Sequence, residues 1–208
     1  MSGRVIPEPV FTRADYERLL EGIYRDLAPF DPEGILQHEW INARGCIARF
    51  DRMALEIRLI DVQECPRMDI AIAHAATATV KSLVEEATVG LEDQQAWTID
   101  ELEPILRATV AQADEAIIDD AGFLRAFGLP AKPLMARELW QHLLETQIEP
   151  RPEHASAAED LRWILQRGCL ARRISEAAGP IPSRARLHEV YGRLADCLRN
   201  AESFSGDP

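Results

Sequence analysis

Apolar and polar positions alternate most sharply between Ala54 and Asp61, where the chain reads ALEIRLID. A period of two belongs to a strand. It sends Leu55, Ile57 and Leu59 to one face and Ala54, Glu56, Arg58 and Ile60 to the other. The wholly aliphatic face is expected to lie under helices. The preceding stretch, His38 to Phe50, reads as extended and should pair with it as a hairpin that turns at Asp51-Arg52 or Arg52-Met53. The turn lacks glycine, which leaves its type open. Loop parity decides where Arg49 falls. An even loop puts it on the face of Glu56 and Arg58, and an odd loop on the opposite face, because a one-residue slip flips every side chain.

The rest of the pattern is helical. Pro7 and Pro9 keep Met1 to Val10 irregular. Thr12 offers an N-cap with Asp15 in the first turn and Phe11 as a staple. Tyr16, Leu19, Leu20, Ile23, Tyr24 and Leu27 then follow helical spacing up to Pro29. Asp31-Pro32-Glu33 reads as the start of a short second helix. Pro66 suits a first helical turn, and Asp69 to Ala87 is apolar on nearly all sides, the mark of a buried helix lying across the aliphatic side of the sheet.

Beyond Gly90 every element reads as helix. Thr98 and Ser183 are caps, Gly168 and Gly179 are breaks, and the Ala155–Gln166 and Met135–Thr146 stretches carry leucine and tryptophan stripes that serve core packing. The tail from Ser203 to Pro208 should fray. The expected class is α+β, a small antiparallel sheet packed by a mainly α-helical remainder. The expected division is 1–90, 91–202 and a flexible 203–208.

Composition narrows the function classes. A formal net charge of −12 disfavours nucleic acid as a partner, since phosphate contacts need clustered positive charge. Acidic residues concentrate between Glu85 and Asp120, which reads as a solvated helical face. Cys46, Cys65, Cys169 and Cys197 stand far apart and read as reduced thiols rather than a disulfide frame or a zinc site. No apolar run is long enough to span a bilayer and the N-terminus has no signal core, so the expected location is the cytoplasm.

The candidate chemistry lies on the polar face of ALEIRLID. Alternation sets Glu56 and Arg58 side by side, roughly 6.5–7 Å apart at the backbone. Such a pair can handle anions and a metal; it can equally be an ion pair on a solvated sheet face. His74, alone in an apolar helix, is either a satisfied core residue or a ligand.

HEWINARG, IARFDR, ALEIRLIDVQECP and the apolar helix after them resemble, in that order and spacing, the family-two glutamate–cysteine ligases, or carboxylate–amine ligases. PLMARELWQHLLE and ILQRGCLARRI extend the resemblance over most of the chain. The pattern Glu-x-Arg-x-x-Asp, a nearby Pro and an apolar helix is also similar to a late catalytic segment of glutamine synthetases. The resemblance implies a partial glutamine-synthetase-like catalytic sheet and ATP-dependent amide formation. A carboxylate, the γ-carboxylate of glutamate in that family, is phosphorylated and an amine acceptor attacks the acyl phosphate.

By position the resemblance makes Glu56 a ligand of Mg2+ and gives Arg58 the substrate carboxylate or phosphate. Arg49 and Arg52 are further candidates for the same anions, and Arg44 and His38 could equally have structural roles. Ala54 stands where glutamine synthetases carry another arginine. Members of the family are longer, and this chain corresponds to their C-terminal portion. The resemblance therefore implies a fragment, a subunit completed by an N-terminal catalytic half or by a second copy, or a chain that has lost catalysis. The alternative from a different class is a non-catalytic helical interaction module.

Overall fold

The computed structural model describes residues 4–207; Met1–Gly3 and Pro208, named above in the lead-in and the tail, lie outside the described residues. The architecture is α+β with helices predominating, and its strands form two short antiparallel pairs. The chain divides into two compact units, one made of the residues up to Asp61 with Gln95–Pro104, the other of Val62–Gln94 with the residues from Ile105 onward.

In the first unit, α1 (Arg13–Leu27) begins as its sequence dictates. The Asp15 N–H donates to Thr12 Oγ1 at 3.1 Å, and the Thr12 N–H donates to the Asp15 carboxylate at 3.1 Å. This reciprocal capping satisfies two donors that a helix start leaves orphaned. Tyr16, Leu20 and Ile23 recur on one face and are buried against Ile41 and Ala48 among others. Phe11, expected as a staple, is 56% exposed.

The short helix expected from Asp31 does not form. The Asp31 carboxylate instead accepts the N–H groups of Ile35 at 2.8 Å and Leu36 at 2.7 Å, and Gly34 turns the chain at φ +67°. An aspartate can hold a loop in this way whenever its side chain out-competes the helical carbonyls for nearby donors.

β1 (Cys46–Arg49) and β2 (Ala54–Ile57) pair antiparallel, with Ile47 opposite Glu56 and Arg49 opposite Ala54. Both are shorter than the alternation suggested. A tight turn at Glu39–Ile41 interrupts the extended span before β1, and beyond Ile57 the ladder gives way to a bond from the Arg58 N–H to Gly45 O at 2.7 Å. Four residues, Phe50–Met53, close the hairpin. Met53 supplies the reversal in the left-handed region at φ 51°, where a glycine was missing from the sequence.

Within the first unit, the packing on the hairpin is uneven. α1 packs on Ala48 of β1, and Leu55, Ile57 and Leu59 are 58%, 40% and 55% exposed.

In the second unit, α2 (Pro66–Val84) starts on its proline. It is buried along one stripe only: Met68, Ala71, Ala75, Ala78 and Ser82, at helical spacing. Ile70 and Val84 are 59% and 77% exposed, so the uniformly apolar composition did not imply a helix buried on all sides. The small alanines admit close packing against Leu144, Ile148, Ala157 and Leu161.

α3 (Leu91–Gln95) and α4 (Ile99–Gln112) follow, α4 capped by Thr98 with Glu101. β3 (Ile117–Ile118) and β4 (Leu134–Met135) pair as a second small sheet where only helix was expected, and α5 (Ala121–Ala126, capped by Asp120) lies between them in the chain. Two-residue strands are too short to carry a readable period.

α6 (Ala136–Leu143) widens into a π-helical turn over Leu144–Ile148. α7 (Ala158–Arg167), α8 (Leu170–Ala178) and α9 (Arg184–Asn200) complete the chain. α7 and α8 end at Gly168 and Gly179, with φ of 85° and 79°, values glycine adopts without a Cβ penalty. The tail does not fray: Phe204 is 2% exposed and its N–H donates to Glu64 Oε1 at 3.1 Å. No helix among the described residues is long and apolar enough to cross a membrane.

Candidate functional site

The four-residue hairpin loop is even, so Arg49 lies on the face of Glu56. The structure brings Arg49, Glu56 and Arg58 into one cluster. Arg49 Nη1 donates to Glu56 Oε2 at 2.7 Å and Arg58 Nε donates to Glu56 Oε1 at 2.7 Å, so each carboxylate oxygen holds one guanidinium. Neither arginine depends on Glu56 alone. Arg49 Nε lies 2.7 Å from Glu39 Oε2 and 3.3 Å from Asp51 Oδ1. Arg58 Nη1 donates to the backbone carbonyls of Asn42 and, at 3.4 Å, Trp40. A run of alternating charge, Glu39–Arg49–Glu56–Arg58, thus crosses the ribbon.

Local folding explains why these side chains converge. Asn42 is 1% exposed and sits on Tyr16, with Asn42 Nδ2 donating to the Tyr16 hydroxyl at 3.5 Å. That anchors the carbonyls Arg58 uses. Gly45 is buried, its carbonyl accepts the Arg58 N–H at 2.7 Å, and a Cβ there would come within 2.6 Å of the Leu59 side chain, which would have to shift. Arg49 and Arg58 are 15% and 25% exposed at the side chain, and Glu56 35%. The Arg58 guanidinium first and that of Arg49 second hold the Glu56 carboxyl below its ordinary value. Asp51 and then Glu56 hold the Arg49 guanidinium above its own.

Other sequence candidates are placed apart. Arg52 is 68% exposed and lies 3.6 Å from Asp51. His38 is exposed at the turn before Glu39. Arg44 is 4% exposed and grips Glu8 through Nε at 2.8 Å and Nη2 at 2.5 Å, a bidentate structural pair. Glu39 was not singled out from the sequence. Its acidic side chain, next to Trp40 in a stretch without a visible period, gave no signal beyond its charge.

The donor set does not fit a complete magnesium site. Both oxygens of Glu56 are occupied by guanidinium groups, and no group of three or more His, Cys, Asp or Glu suited to a metal occurs among the described residues. Mg2+ demands near-octahedral oxygen coordination. What the arrangement offers is two guanidinium groups held side by side on one carboxylate, a geometry suited to a carboxylate or phosphoryl oxyanion.

The arginine-bearing hairpin, set beside a capped helix, lies within a much longer stretch that matches a known family. The sequence model of glutamate–cysteine ligase family 2 matches residues 4–180, and the chain belongs to that family. The family is one of glutamate–cysteine-ligase-like carboxylate–amine ligases. An uncharacterized protein of Archaeoglobus fulgidus is 39% identical over 85 residues, which is 41% of this chain and 23% of that protein. The match thus spans about a quarter of that relative's length. No solved structure matches the chain. α9 and the tail lie beyond the stretch the family model covers.

Proposed function

We propose that the β1–β2 hairpin forms one wall of the active site of an ATP-dependent carboxylate–amine ligase, with Arg49 and Arg58 receiving anionic oxygens. The observation that carries the reading is the pairing of both guanidiniums on Glu56 within the family-matched stretch. In the proposed reaction a carboxylate oxygen, that of glutamate by family, attacks the γ-phosphorus of ATP; the bond to ADP breaks and an acyl phosphate forms. The amine nitrogen then attacks the acyl carbon, phosphate leaves, and the nitrogen gives up a proton.

Arg58, braced by backbone carbonyls, and Arg49, braced by Glu39, would hold the carboxylate or the transferring phosphoryl group. Charge that develops on those oxygens is best stabilised by donors already in place. Mg2+ enters only as the ion that accompanies ATP. Further carboxylates and nucleotide contacts belong to the longer, N-terminal part of such an enzyme or to a partner copy, with this chain as the C-terminal portion of a glutamine-synthetase-like fold.

Isothermal titration with magnesium–ATP, with and without glutamate, tests this, using the chain alone and joined with a candidate N-terminal half. Binding that Arg58→Met weakens by about tenfold or more supports it, the scale of one lost charged hydrogen bond. Binding unchanged by that substitution, or no binding in either preparation, overturns it.

One observation favours the second reading, an interaction module. Met53, Leu55, Ile57 and Leu59 are 92%, 58%, 40% and 55% exposed, an aliphatic stripe on an edge strand. Light scattering on wild type and Leu55→Lys separates the two. Association abolished by the lysine, together with no ATP binding, is the result that would favour the module.

A further inference from the structure

Along α2, Arg67, His74 and Lys81 recur every seventh residue and so share one side of the helix. Each meets a partner from the segment that leads into α7 or from α7 itself. Arg67 Nη1 lies 3.0 Å from Asp160 Oδ1, and Lys81 Nζ donates to Glu153 Oε1 at 2.6 Å. Those two are fixed ion pairs. The middle one is different: His74 Nδ1 and His154 Nδ1 face each other at 2.8 Å, with the rings edge to face at 76°.

Two imidazole nitrogens at that distance share one proton, so one must donate and the other accept. His154 is 5% exposed, and its Nε2 is buried without a hydrogen-bond partner among the described residues. His74 is half-buried and lines a cavity of about 370 Å³ with Arg67, Ser156 and Asp160.

We propose that His74 and His154 form a proton-operated latch that fastens the Arg151–Ala157 segment to α2, shut while the pair carries at most one excess proton and opened by the second.

The count follows from the nitrogens. In the neutral pair either Nδ1 carries the shared proton. One added proton makes one ring an imidazolium that still donates to the other. A second proton leaves both Nδ1 atoms carrying hydrogens pointed at each other, with a charge buried on His154. The ring can escape only by leaving α2.

Burial first, and the facing His74 second, hold the His154 imidazole below its ordinary value, in keeping with a ring kept neutral in the closed state. A depressed histidine contributes stability above its unfolded value of about 6.5 that is lost as pH falls. The surrounding charges do not mask the effect. Lys81 is paired with Glu153 and Glu85 with Arg151, at 2.6 Å each. On the same connection Glu149 is paired with Arg162 at 2.6 Å. These neighbouring charges are therefore paired with one another.

Amide hydrogen exchange on the full chain between pH 8 and 5, corrected for intrinsic rates, reads the latch. Exchange over Arg151–Ala157 should accelerate by about tenfold per pH unit once the second proton binds, while α9 stays protected. In His154→Phe, which keeps an aromatic ring and removes both nitrogens, the acceleration should vanish. A flat wild-type profile, or an equal slope in the variant, overturns the proposal. Should the variant fail to fold, imidazole 15N spectra of the wild type decide. Proton uptake by His154 at the pH where exchange accelerates supports the latch, and uptake without acceleration overturns it.

Discussion

Arg173 and Glu64 form an ion pair with both side chains fully buried, Nη1 lying 2.6 Å from Oε1. Removing two charges from water costs several kcal/mol per ion unless geometry and further hydrogen bonds compensate. Here they do. Arg173 also donates to Gly168 O at 3.0 Å and Phe204 O at 2.6 Å, and its guanidinium stacks over Trp163 at 4.7 Å. Glu64 accepts the Phe204 N–H as well. The pair therefore joins the segment leading into α2, the α8 helix and the stretch around Phe204.

Breaking this pair on one side should be among the costliest substitutions in the molecule. Glu64→Leu leaves an unpaired buried guanidinium, and the expected loss is about 3–5 kcal/mol by urea unfolding. The double substitution Glu64→Leu/Arg173→Met should recover a large share of that loss, because no charge is then left buried alone. Equal losses for single and double variants would show that the pair's packing, not its charge, holds the site.

Gly206→Ala tests the same anchor from the backbone side. Gly206 is buried at φ +79°, and a Cβ there would stand 2.9 Å from Arg173 Cβ and 3.0 Å from its backbone oxygen. The left-handed conformation alone costs a non-glycine residue about 1–2 kcal/mol. The variant should lose at least that in chemical denaturation and become open to proteolysis near Phe204.

What the sequence made legible was local. Thr12, Thr98 and Ser183 cap helices because a cap needs only the next three residues. Gly168 and Gly179 end helices for an equally local reason. Within the site, parity reduced Arg49 to two placements and the four-residue loop selected one. Its brace Glu39 stayed hidden because the contact depends on a turn that carries no period. Burial was the weakest inference. Leu55 and Ile57 are as aliphatic as any core residue, yet they are 58% and 40% exposed. Phe204, in a polar tail, is buried because Glu64, 140 residues away, binds its amide.

The Lys81–Glu153 contact sets an acid-side limit on stability. Lys81 first, by hydrogen bond, lowers the Glu153 carboxyl to about 2. A depressed carboxylate contributes stability above its unfolded value, and that contribution is lost as pH falls through the folded value. The loss should therefore fall between roughly pH 4.5 and 2. Lys81→Gln should move the Glu153 titration, followed by carboxyl 13C shifts, back toward an ordinary glutamate and flatten that part of the pH profile. A Glu153 titration unmoved by the substitution would assign the depression to the backbone instead.

Glu56 is the internal counter-ion of the site, and this makes its removal informative. As the chain stands, an incoming carboxylate or phosphate must compete with Glu56 for Arg49 and Arg58. In Glu56→Gln the two guanidiniums keep a neutral acceptor and their other braces, Glu39, Asp51 and the Asn42 carbonyl. The site then gains one unit of positive charge. Inorganic phosphate, titrated calorimetrically at low salt where such fields are least screened, should bind about tenfold more tightly than to the wild type. Adding Arg58→Met should cancel the gain. Weaker phosphate binding in Glu56→Gln would show that the carboxylate's main part is to aim the arginines rather than to occupy them.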